Sequence, residues 1–144
     1  MSDAVDELVR RRRLEHVLPD RPLSREELEA AQDNLESAER LAASNARLAY
    51  KALYDAARTA ISAHMRAHGY RVRGVREAHV KTAEYATAAL GHLSIAAELN
   101  RFGRMRIKRH NIEYGAQRVG EAEVRAALRH AHAIVEAIAQ DLAG

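Results

Sequence analysis

Residues 101–110 read RFGRMRIKRH: five arginines or lysines and no acid in ten positions. The chain as a whole carries a net charge of +3, so this decapeptide, at +5, leaves the remainder near −2. The only comparable cluster is the arginine run Arg10–Arg13. On a helix advancing about 100° per residue, with Arg106 as origin, Arg109 lies at about −60°, His110 at about +40°, Glu113 at about −20° and Tyr114 at about +80°. Two guanidiniums, an imidazole, a carboxylate and a phenol therefore share one side. Met105 and Ile112 fall near −110°, where they face a hydrophobic bundle.

That stripe suits phosphodiester chemistry. RNA is cut when its own 2′-hydroxyl attacks the adjacent phosphate, a reaction that needs proton transfer and cations to hold the growing negative charge. The imidazole of His110 can both accept and donate a proton, so it can move the one that the attack releases. Arg106 and Arg109 can fork onto phosphate oxygens, and Tyr114 can donate a hydrogen bond or stack on a base. Such a reaction needs no metal. The plainer reading is a solvated helix face with an ordinary Arg109–Glu113 pair.

Other constellations are weaker. His64 and His68 stand four apart on one helix face, but no third ligand is evident, so they read as packing residues and no metal is expected. His130 and His132 point to different faces. The paired Glu-x-x-His pattern of di-iron bundles is absent, and no glycine loop is present to cradle a nucleotide phosphate. Cysteine is absent, which excludes disulfides and thiolate metal sites. No cofactor is expected.

The elements that position these residues read as helices throughout. The 144 residues are 47% apolar, much of it alanine, with 30% charge, seven glycines and two prolines. This is the composition of packed helices. A first helix is expected over 3–17, ended by Pro19-Asp20-Arg21-Pro22. Ser24 and Glu27 read as a capping box for a second helix, with Leu28, Ala31, Leu35, Ala38 and Leu41 on its inner stripe. A third buries Leu48, Ala49, Leu53, Ala56, Ala60 and Ile61, and stops at Gly69. After a basic loop, Tyr70–Val75, a fourth runs from Arg76 to Leu90. A fifth spans Ser94 to Tyr114, with a bend expected at Gly103. The last starts at Glu121 and repeats Val124, Leu128, Ala131, Val135, Ile138 and Leu142. The expected fold is all-α: an up-and-down bundle of five to six helices in one domain, 1–144, with 1–22 as a helical extension. The N-terminal segment lacks the apolar stretch of a signal peptide, and no run is long enough for a membrane span, so a cytoplasmic protein is expected.

The chain resembles the HEPN (higher eukaryotes and prokaryotes nucleotide-binding) domains over most of its length, from about Leu28 to Leu142. The resemblance is carried by Ala49-Tyr50 through Tyr54-Asp55-Ala56-Ala57-Arg58, by His64 to Arg71, and by RMRIKRHNIEY, Arg104 to Tyr114. It implies a metal-independent RNase of a toxin–antitoxin or phage-defence system, a homodimer whose two motifs meet in one cleft, and an antitoxin or nucleotidyltransferase partner. The family motif is an arginine, often a polar residue, four to six further residues, then a histidine. Arg104 and His110 satisfy the spacing. Alternatively Arg109 is the motif arginine, His110 the polar residue, and Tyr114 stands at the histidine position. The residues assigned to catalysis are thus Arg104, Arg109, His110 and Tyr114. Arg101, Arg106, Lys108, Glu113 and Arg58 are assigned to RNA contact, Glu113 by orienting an arginine or His110. The rival reading is a catalytically degenerate module that binds a partner protein or a nucleotide.

Overall fold

The computed structural model describes residues 2–144. Helix α1 (Asp3–Arg10) is capped by Ser2, whose side chain accepts from the Val5 N–H, and Asp3 and Asp6 fill its first turn. Acids there complement the helix dipole. The helix expected to reach Val17 stops at Arg10. Arg12 takes a left-handed φ of 61°, and the chain turns so that Leu14–His16 forms a strand, β1. It pairs antiparallel with β2 (Tyr70–Val72), Leu14 opposite Val72 and His16 opposite Tyr70. The segment read as a basic loop therefore begins with a strand. Three-residue strands are too short to display an alternation, and their partners lie far apart in sequence.

Helix α2 (Arg21–Leu41) starts earlier than the Ser24–Glu27 box implied. Asp20 is the cap, accepting from the Leu23 N–H at 3.0 Å. Pro22 sits in the first turn, where its missing N–H leaves nothing unsatisfied. Ser24 is instead buried and donates to the Ala63 carbonyl at 2.7 Å, and Glu27 pairs with Arg66. Ala31, Leu35 and Ala38 are buried, with Leu28 and Leu41 at the margin of the core.

Helix α3 (Ala46–His68) is the centre of the molecule and touches α2, α4 (Ala78–Leu90), α5 (Ala96–Gly115) and α6 (Glu121–Ala143). Its buried residues include six alanines, which let neighbouring helices approach closely. The stripe through Ala49, Leu53, Ala56 and Ala60 leaves Leu48 about 100° off axis, and Leu48 is accordingly exposed. Gly69 ends α3 in a left-handed turn. Helix α5 runs through Gly103 as one element. Helix α6 buries Val124, Ala131, Val135 and Ile138. The fold is thus an all-α bundle of six helices among the described residues, with a two-stranded pin. One core cluster includes Val5, Leu8 and Leu14, so the N-terminal segment is built into it. Among the described residues no helix is long and apolar enough to cross a membrane.

Candidate functional site

Helix α5 is anchored through Leu99, Phe102, Met105 and Ile112, all buried. Arg47 of α3 adds a hydrogen bond to the Ile112 carbonyl at 3.0 Å. Burying that flank rotates the opposite one outward. Arg106, Arg109, His110 and Tyr114 line a cavity of about 350 Å³ together with Tyr54 of α3 and His79 of α4. His110 and Tyr114 lie one turn apart with their rings tilted against each other, centroids 4.9 Å apart.

Tyr54 forms the floor. It is buried and lies parallel to Phe102 at 5.2 Å. The Arg109 guanidinium sits 5.8 Å from the Tyr54 ring centroid, within range for a cation–π contact. Burial pushes the Tyr54 hydroxyl up to about 12, against the pull of Arg58, Arg106 and Arg109, so it stays protonated at neutral pH. It makes a 2.9 Å hydrogen bond with His79 Nδ1. When the phenol donates its proton in this bond, Nδ1 is the acceptor. Neutral His79 then carries its own proton on Nε2, leaving that N–H for the cavity. His79 is held below the ordinary imidazole value by partial burial and by Arg58, Arg106 and Arg109, so at pH 7 it is neutral.

Arg58 lines an adjoining cavity of about 390 Å³ that shares His79 as its wall. It is not paired with Asp55. Asp55 contacts Arg109 instead, Oδ1 to Nε at 3.3 Å, without hydrogen-bond geometry. Arg106 has no ion-pair partner among the described residues, and neither do Arg101 and Arg104. Arg101 and Arg104 are exposed and stand outside both cavities. Lys108 is engaged within the chain, by Glu123 at 3.1 Å and by the Arg118 carbonyl at 3.2 Å. Glu113 pairs with Lys51 of α3 at 2.6 Å rather than with His110 or an arginine, and that lysine holds its carboxyl below the usual range.

Sequence reasoning missed three residues of this site. Tyr54 and Asp55 stand in the segment Tyr54 to Arg58 with no role assigned to either. His79 gave no signal, being a single histidine at the start of a helix.

A second cluster forms elsewhere on α3. His64 is buried and hydrogen-bonded through Nδ1 to the Tyr85 hydroxyl at 2.7 Å and through Nε2 to Asp141 Oδ2 at 2.7 Å. His68 packs beside it, ring centroids 4.4 Å apart. Asp141, 77 positions from His64, supplies the third potential ligand that the sequence did not reveal.

No protein-family model, curated protein or solved structure matches the chain.

Proposed function

We propose that the chain is an HEPN-type, RNA-directed protein that cleaves RNA without a metal ion. One observation carries this reading: two imidazoles, two guanidiniums and two phenols converge on one small cavity between α3, α4 and α5. Arg106 and Arg109 bind the scissile phosphate, and the His79 Nε2–H donates to one of its oxygens. His110 takes the proton from the attacking 2′-hydroxyl. The new P–O bond forms as the bond to the 5′-oxygen breaks, and protonated His110 or water returns a proton to that oxygen. Arg58 guides the strand across His79. Tyr114, 79% exposed, stacks on a base. The cavity favours Arg109 as the motif arginine over Arg104. A dimer that joins two such cavities, working in a toxin–antitoxin or phage-defence pair, is the biological setting this reading entails.

A second reading is supported by exposed Ile107 and Tyr114 on the same basic helix. They suit docking of an acidic antitoxin or nucleotidyltransferase surface.

The test is cleavage of a structured RNA in EDTA. Wild type is expected to cut. His110→Ala loses about 10²–10⁴-fold, the usual range for a proton-transfer group, and Arg109→Ala about 10²–10³-fold, the usual range for a donor that holds developing charge, while helicity is unchanged. RNA left intact by wild type at protein excess over hours overturns the catalytic reading. RNA binding that weakens steeply with salt would then retain the phosphate-binding part.

A further inference from the structure

We propose that His64, His68 and Asp141 form a zinc-binding site that ties the C-terminal end of α3 to that of α6. The three residues offer two imidazole nitrogens and a carboxylate oxygen, all within 4.8 Å of one another. Ligands of a four-coordinate zinc stand about 3.4 Å apart, from bond lengths near 2.0–2.1 Å. Side-chain rotation alone therefore brings this set into range. His64 and His68 are one helical turn apart on the same face of α3.

One feature points to an ion beyond the His64–Asp141 hydrogen bond, and a second suits one. The first is the Nε2 atom of His68, which is shielded from solvent and has no hydrogen-bond partner. An orphaned buried nitrogen is costly, and a metal would satisfy it. The second is the outer partner of His64. Its Nδ1 meets the Tyr85 hydroxyl, and Tyr85 is wholly buried. A ligating histidine is normally oriented by a hydrogen bond at its other nitrogen, so Nε2 is the one presented to the ion. Asp141 remains about one-third exposed, which gives the ion a way in and leaves a fourth position for water. Two nitrogens and one oxygen suit zinc, with cobalt as its spectroscopic substitute. The site shares no residue with the cavity around Tyr54 and His79, so it stands or falls independently of the cleavage reading.

The experiment uses the full chain stripped with EDTA. Added Zn²⁺ is expected to raise Tm by several degrees, because an ion that binds only the folded state stabilises it. Co²⁺ is expected to give the intense visible absorption of a four-coordinate centre. His68→Ala, which removes the least constrained ligand, and Asp141→Asn each lower zinc affinity by at least about tenfold. His132→Ala, at a different histidine of α6, leaves it unchanged. The proposal is overturned if Zn²⁺ leaves the wild-type Tm unmoved. It is equally overturned if the shift persists in both ligand variants, or if Co²⁺ gives only the weak spectrum of a hexa-aquo-like ion. The wild-type cobalt spectrum decides the question even if a variant does not fold.

Discussion

Tyr54 shows how one side chain joins the core to the cavity. Its ring is held by Phe102, and its hydroxyl is hydrogen-bonded to His79 Nδ1. Tyr54→Phe keeps the ring and removes only the hydroxyl. The expected stability loss is about 0.5–1.5 kcal/mol, the net value of one hydrogen bond. RNA binding or cleavage is expected to fall more than that loss of stability would explain, because His79 loses its orienting partner. A thermal melt and an RNA-binding titration on the same sample separate the two. If RNA affinity is unchanged, His79 is not part of the binding surface. At this scale Arg106, Arg109, His110 and Tyr114 were legible because they lie on one helix, where 3.6-residue geometry alone brings them together. Tyr54, His79 and Asp141 were not, because only packing between helices brings them to their partners.

Among the elements, the long helices were legible from apolar spacing and the pin was not. Strands β1 and β2 exist because each finds the other, not because either has a pattern. Their junction with α3 depends on Gly69. It takes φ 79°, and an added Cβ would lie 2.7 Å from the Val17 carbonyl oxygen and 3.1 Å from Pro19. That same stretch is held by the Val17 N–H donating to the Gly69 carbonyl at 2.9 Å. Gly69→Ala is therefore expected to destabilise the fold by about 1–3 kcal/mol, combining left-handed strain with the clash. Urea unfolding measures this; an unchanged midpoint would mean that the pin moves freely. Helix starts were the least legible feature. Ser24 looked like a cap by type and spacing, yet its hydroxyl serves the α2–α3 interface.

For the molecule as a whole, four histidines, His64, His68, His79 and His130, are held below the ordinary imidazole value, with burial the largest cause in each. The folded state resists protons that the unfolded chain accepts. Stability is therefore expected to be full above about pH 6.5, the unfolded value, and to fall as pH drops below it. Denaturant midpoints at pH 7.5 and 5.5 check the sign; a higher midpoint at pH 5.5 would contradict it. The same unity applies to the N-terminus. Removing residues 1–22 takes Val5, Leu8 and Leu14 out of the core and deprives β2 of its partner. The truncated chain is expected to lose several kcal/mol, since burying one such side chain contributes about 1.5–3 kcal/mol. Loss of a cooperative melt would bear this out, and an unchanged Tm would show the segment to be an appendage.

The pin also has a history in time. Glu15 of β1 and its opposite Arg71 of β2 are 56 positions apart. At synthesis rates of about 5–20 residues per second, β1 leaves the ribosome roughly 3–11 s before its partner. During that interval its edge is open to any other extended chain. A strand of three residues, Leu14, Glu15 and His16, with a charge at its centre, makes a poor template for such pairing. Its brevity protects the nascent chain while it waits.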